Sequence, residues 1–233
     1  MSRPSVFITG AAAGIGRTAA LHFARQGWFV GAYDVDEAGL SSLKAELGDG
    51  MTGRLDVCNY DAWTHSLEAF FTAAGGRLDV LVNNAGILSS GPFENTPIAR
   101  HHLMVDVNLK GMMNGCHAAL PWLQKTSDSR VINLASASAI YGQPSLATYS
   151  ATKFAVRGLT EALDLEWQHF GIRVMSVWPL FVQTAMVSDM DAKSIKALGV
   201  QLTPQHVAAV ILQVALYQGR PKVHWPVGLQ SKL

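Results

Sequence analysis

The sequence predicts a doubly wound α/β fold, a parallel sheet with helices on both faces, in one domain covering residues 1–233. Three observations carry this. Short apolar runs alternate along the whole chain with longer segments of helical periodicity, the pattern of repeated βαβ units with right-handed crossovers. Most of the runs are almost continuously apolar, as strands are when both faces of a sheet are covered. The 233 residues, 49% hydrophobic and 15% charged, allow one large core and are short for two.

Taken in order, the apolar runs at 6–9, 28–33, 50–55, 78–82, 130–134, 173–177 and 222–225 read as seven strands. Residues 16–26, 37–47, 61–74, 148–170 and 204–217 between them have apolar side chains at helical spacing. The stretch 97–124 is long enough for two helices in succession. No linker, internal repeat or low-complexity segment interrupts this alternation.

Bulk properties exclude several function classes. A net charge of +1, with no basic run or stripe, gives no nucleic-acid footprint. No run of 18 apolar residues is present, so no membrane span is expected. The first apolar run starts at Val6 and leads straight into a glycine-rich turn, which does not resemble a secretory leader. A soluble cytoplasmic protein is the expectation. Cys58 and Cys116 read as two small buried side chains in a reduced compartment. His101, His102, His117 and His169 show no metal-ligand spacing, and no metal is expected.

In an open parallel sheet, ligands sit beyond the carboxyl ends of the strands, so informative residues should follow strands directly. Several do. Thr9-Gly10-Ala11-Ala12-Ala13-Gly14-Ile15-Gly16 joins the first strand to the first helix. Glycines there let backbone approach a pyrophosphate, and the helix start offers free N–H groups. The spacing is G-x-x-x-G-x-G, not the G-x-G-x-x-G of the common dinucleotide fingerprint. Asp34 closes the second strand, where a carboxylate can accept hydrogen bonds from an adenosine ribose. Asp56-Val57 ends the third strand, in reach of an adenine, and Asn83-Asn84-Ala85-Gly86 ends the fourth.

The most chemical segment is Tyr149-Ser150-Ala151-Thr152-Lys153, with Ser136 thirteen residues upstream. On a helix, positions i and i+4 share a face, so the Lys153 ammonium lies beside the Tyr149 phenol. At about 4 Å and an effective dielectric near 20, such an attraction is roughly 4 kcal/mol. That suffices to draw a tyrosine pKa from about 10 toward neutrality, where a phenol can exchange a proton with an alcohol or carbonyl.

Jointly, these motifs, together with Val107-Asn108, resemble the short-chain dehydrogenase/reductase family of single-domain NAD(P)-dependent enzymes. The likeness runs from the start of the chain to about residue 184. It implies strand order 3-2-1-4-5-6-7, a nicotinamide cofactor and hydride transfer to or from a carbonyl. It implies Tyr149 as the acid/base, Lys153 on that phenol and on the nicotinamide ribose, and Ser136 on the substrate oxygen, with Ser138 a second hydroxyl nearby. Asn108 matches a residue that holds a water in a proton relay. The cofactor set carried over is Gly10, Gly14, Ile15, Gly16, Asp34, Asp56, Val57, Asn83, Ala85, Gly86, Tyr149, Lys153, Pro179, Val182 and Thr184.

One departure stands out. Leu180 follows Pro179 where the family usually has glycine, which should crowd or reshape the substrate pocket. Leu180, Phe181, Ile140 and Tyr141, with Met186 of a variable lid at 185–190, would make that pocket apolar. The chain runs only to Leu233, where family members often carry a further tail over the pocket. The expected activity is NAD-dependent interconversion of an apolar secondary alcohol and its ketone, with NAD chosen because Asp34 would repel a 2′-phosphate. An NADP-preferring carbonyl reductase and a non-catalytic redox sensor are the alternatives. The family's habit of pairing its two long helices, together with Phe154, Val156, Leu159, Leu163 and Trp167 on the second, predicts a homotetramer or homodimer.

Overall fold

The computed structural model describes residues 3–188 and 199–228. Seven strands form one sheet: β1 (Ser5–Thr9), β2 (Phe29–Asp34), β3 (Met51–Arg54), β4 (Val80–Asn83), β5 (Arg130–Leu134), β6 (Arg173–Trp178) and β7 (His224–Pro226). Their order is β3-β2-β1-β4-β5-β6-β7, and all neighbours are parallel. This is the expected order. The chain reverses its direction of winding between β1 and β4, so a crevice opens there at the carboxyl edge.

Alternation along each strand divides the core. Val6 and Ile8 of β1 face one layer, and Phe7 faces the other. The first layer holds α1 (Gly14–Arg25), α2 (Glu37–Leu47) and the last helix, Pro204–Leu216. The second holds α3 (Tyr60–Ala73), the helix at 98–123 and α6 (Ala147–Glu166), with the fully buried Trp63, Leu67 and Phe70 against Phe7.

Residues 97–124 do not split into two separate helices. α4 (Ile98–Val105) runs through a π-helical turn at Asp106–Lys110 into α5 (Gly111–Leu123). Val105, Lys110 and Gly111 all keep right-handed helical dihedrals, so no break occurs. After a single turn α7 (Ala185–Ser188), the helix Pro204–Leu216 is α8. Its far end is closed from across the sheet. Arg130, 2% exposed, donates to the carbonyls of Val214 (3.0 Å) and Tyr217 (2.8 Å) and pairs with Asp128 at 2.9 Å. These carbonyls belong to the set a helix leaves unpaired at its carboxyl end.

Two expectations need correction. Cys116 is buried, but Cys58 is exposed, because it lies in the open loop between β3 and α3. Of the apolar α6 residues expected to face a partner, Val156 and Trp167 are buried, and Leu159 and Leu163 pack on the same core; only Phe154 is exposed. The sheet covers more of α6 than the composition of the helix suggests. The lid residues beyond 188 and the chain end at 229–233 lie outside the described residues.

Candidate active site

A cavity of about 410 Å³ lies at the carboxyl edge of the sheet, and it unites both predicted halves of the site. At one end are Gly10, Gly14, Ile15, Asp34, Asp56 and Val57; at the other are Ser136, Ser138, Tyr149 and Lys153. Ala85 and Gly86 lie between, and Pro179, Leu180, Val182, Thr184 and Met186 close the roof.

The glycine-rich turn is shaped by close approach. Gly10 has φ +65°, and a Cβ there would lie 2.8 Å from the Ala85 Cα. A Cβ on Gly16 would sit 2.1 Å from the Gly10 carbonyl oxygen. Gly16 does not line the cavity; it lets α1 pack against the turn. Asn84 holds the turn from the other side, donating to the carbonyls of Thr9 and Gly10, each at 2.9 Å.

Asn83, expected at the cofactor, turns away from it. Its side chain is buried and donates to Asn133 at 2.9 Å and to the Cys116 sulfur at 3.4 Å. It does not line the cavity, whereas Asn84 does. The reason is the alternation of side chains along β4, which ends at Asn83.

Asp34 accepts from Ala12 N–H (3.0 Å), Val35 N–H (2.7 Å) and Asp36 N–H (3.1 Å). The turn is thereby tied to β2, and the carboxylate sits at the cavity edge. Arg17, the nearest guanidinium in sequence, is spent elsewhere: it pairs with Glu46 and donates to the Gly39 carbonyl at 3.2 Å and to Ser42 at 3.2 Å. Among the described lining residues, Lys153 is the one Lys or Arg.

These features fit a dinucleotide. The amino end of α1 has no side-chain cap, so its N–H groups are open to a phosphate. The close backbone at Gly10 leaves room beside it, and Asp34 offers an acceptor where a ribose would lie.

At the reacting end, Ser136 precedes a 3-10 turn at Ala137–Ala139. Its Oγ accepts from Ser138 N–H at 3.1 Å and donates to the Ser138 hydroxyl at 3.2 Å. Tyr149 and Lys153 follow on the first turns of α6. Lys153, 6% exposed, donates to the Leu134 carbonyl at 2.7 Å, and its Nζ lies 5.5 Å from the Tyr149 ring centroid.

The expected depression of the tyrosine pKa is not found. Burial pushes Tyr149 up to about 12, partly offset by its hydrogen bond with Ser136. Burial also lowers Lys153, to about 8. The pairwise attraction argued from spacing omitted the loss of water around both groups, and that loss dominates here.

Asn108 is buried in the π-helical turn, where such turns often mark functional positions. Its amide is fully engaged: Oδ1 accepts from Ile87 N–H (2.8 Å), and Nδ2 donates to the Ile87 carbonyl (2.9 Å) and Thr152 (3.3 Å). It clamps the loop following β4 at Ile87 rather than lining the cavity. Leu180 is 8% exposed and clusters with Ala137, Leu146 and Phe181. It forms part of the wall, as a branched side chain in that place should. Ile87, Leu88 and Leu146 also line the cavity; as loop residues they carry no periodic signal in the sequence.

Fold and site together point to a class: oxidoreductases built on a doubly wound sheet, with a cavity at its switch point that fits a dinucleotide. The short chain dehydrogenase family model matches residues 4–194, and the chain belongs to that family. Among its relatives is the 3-oxoacyl-(acyl-carrier-protein) reductase of Thermotoga maritima, 34% identical, with 89% of this chain and 88% of that protein covered. A 3-alpha-(or 20-beta)-hydroxysteroid dehydrogenase of Mycobacterium bovis is 35% identical over 89% of this chain and 80% of its own. The crystal structure of 3-ketoacyl-(acyl-carrier-protein) reductase from Brucella melitensis complexed with NADH superposes with a TM-score of 0.90, covering 98% of each chain at 27% identity. Among the described residues, no helix is long and apolar enough to cross a membrane, and no cluster of His, Cys, Asp or Glu is arranged to hold a metal.

Proposed function

We propose that this protein is an NAD-dependent dehydrogenase that interconverts an uncharged, apolar secondary alcohol and its ketone. One observation carries the substrate class. Around Ser136 and Tyr149 the cavity is walled by Leu88, Leu146, Leu180, Phe181 and Met186, and Lys153 is the one cation among the described lining residues. A substrate with a phosphate or carboxylate would lose its water there without a partner.

Bound NAD(H) would supply the hydride. The chain's own residues handle the proton and the oxygen. Tyr149 gives its phenolic proton to the developing alkoxide in reduction and takes the hydroxyl proton in oxidation. Ser136 lines the same cavity as Tyr149 and, by turning its hydroxyl from Ser138, donates to the same oxygen and holds it in place. Lys153 lies beside the phenol and would hold the nicotinamide ribose. Asn108 and Asn84 hold the surrounding backbone.

The preference for NAD rests on Asp34 at the cavity edge and on the engagement of Arg17 elsewhere. A 2′-phosphate carries about −1.5 to −2 charge. At about 5 Å from a carboxylate, a unit-charge repulsion reaches about 3 kcal/mol at an effective dielectric near 20. We further propose a cytoplasmic homodimer or homotetramer. Steady-state kinetics on a panel of alicyclic and aliphatic alcohols and ketones, with both cofactors, tests the reading. A kcat/KM about 10- to 1,000-fold higher with NAD is expected, about 1.4–4 kcal/mol. Equal or better use of NADP would refute the cofactor assignment. Absence of turnover with any uncharged substrate would refute the activity.

A further inference from the structure

We propose that His101 is a positioning residue that fixes the 87–96 loop, one wall of the substrate cavity, against the amino end of α6 where Tyr149 sits. The inference rests on the functional reading above, which makes Ile87 and Leu88 part of the substrate wall.

The two nitrogens of His101 are spent on two different elements that flank the cavity. Nε2 lies 3.2 Å from the Phe93 carbonyl oxygen, and Nδ1 lies 2.7 Å from the Thr148 hydroxyl. A carbonyl only accepts, so Nε2 carries the proton; in the neutral ring Nδ1 then accepts from Thr148. The ring also packs on Phe93, with centroids 4.5 Å apart. His101 is 8% exposed, so losing either bond would leave a buried polar group unpaired. Thr148 immediately precedes Tyr149 on α6.

The rest of the loop shows why this tie matters. Its base is clamped at Ile87 by Asn108. Its middle is held by one further bond, Gly91 N–H to the Ser145 carbonyl at 2.9 Å. Beyond it, Phe93 is 58% exposed, and its ring contact is with His101. His101 therefore bridges the distal part of the loop to the catalytic helix. Its imidazole sets the distance between the Leu88 wall and the Tyr149 phenol without touching the substrate.

The test uses the full chain with a ketone and NADH. His101→Leu and Thr148→Val should each raise the ketone KM about tenfold, since a loosened wall misplaces the substrate. Turnover at saturation should stay within about threefold and NADH affinity should not change, because neither group meets the reacting atoms or the cofactor. The double variant should be no worse than the worse single one, because both remove the same tie. His101→Gln, which can both donate and accept, should recover most of the loss. Hydrogen exchange at residues 91–96 should speed up in both single variants. Additive losses in the double variant overturn the proposal, as does a fall in NADH affinity that matches the rise in KM. If the wild type turns over no ketone, the functional reading fails; the tether is then judged by exchange alone, and unchanged exchange at 91–96 overturns it.

Discussion

At Tyr149 two effects oppose each other. A neighbouring ammonium favours the phenolate, and burial disfavours it. With burial ahead, at about 12, the phenol is fully protonated near pH 7. Ketone reduction should then be nearly flat between pH 6 and 8, because the acid form is already in place. Alcohol oxidation needs the phenolate and should keep rising through pH 7 to 9; a plateau below pH 7 would contradict this ordering of effects. Tyr149→Phe should lower turnover by about 10²–10⁴-fold in both directions while NADH still binds, measured by single-turnover kinetics and fluorescence titration. Lys153 gives an independent reading through stability. Its pKa is about 8 in the fold against the ordinary 10.5 of a solvated lysine, so between these values the unfolded chain holds more protons. The lysine's contribution to stability therefore rises with pH across that window. In denaturant titrations at pH 7.5 and 9.5, wild type should gain on Lys153→Met by about 1–2 kcal/mol, at roughly 1.4 kcal/mol per pH unit. No gain would mean that the ammonium is not desolvated. Much of this site is legible in the sequence, because its residues follow strands or sit four apart on a helix. What escapes is direction and medium. Asn83 and Asn84 are adjacent letters that point to different places, and the water stripped from Tyr149 and Lys153 depends on residues as distant as Leu134.

Among the elements, the seven strands are readable because each is a short apolar run between turns. The π-helical turn at Asp106–Lys110 is not. It adds a residue to one turn, and an average spacing of 3.6 hides it. The clamp at the end of α8 is equally hidden, since Arg130 lies more than eighty positions from the carbonyls it closes. A buried guanidinium at the first residue of a strand reads, in sequence, as a solvated charge. Arg130→Met keeps the volume but takes the guanidinium from the Val214 and Tyr217 carbonyls, which keep only the longer bonds from Tyr217 N–H and Arg173, each at 3.3 Å. Charge-assisted hydrogen bonds of this kind contribute about 1.5–3 kcal/mol each. A loss of about 2–4 kcal/mol in chemical denaturation is expected, with faster exchange of amides at the end of α8. A loss below about 1 kcal/mol would mean that water replaces the guanidinium readily.

For the whole molecule, the exposed apolar side chains matter most. Ile98, Leu103 and Met113 stay exposed on the α4–α5 helix, and Phe154 and Leu165 on α6, with Leu165 at 70%. Scattered apolar residues are ordinary, but these lie on the two long helices that the proposed assembly would pair. Sedimentation equilibrium at micromolar concentration should give a dimer or tetramer mass, and Leu165→Glu with Phe154→Glu should shift it toward monomer with secondary structure intact. A monomeric wild type would remove the basis for that assembly.

The layering of α1 on α8 also bears on how the protein is made. Ala19, Ala20 and Phe23 of α1 are covered in part by Val207, Ile211 and Val214, so one of the first segments translated shares a core with one of the last. About 180 residues separate them, and at roughly 5–20 residues per second the ribosome needs about 10–40 s to bridge that gap. During that time the outer face of α1 has no permanent cover. The nascent chain should therefore recruit a chaperone holdase early and release it only after α8 has left the exit tunnel.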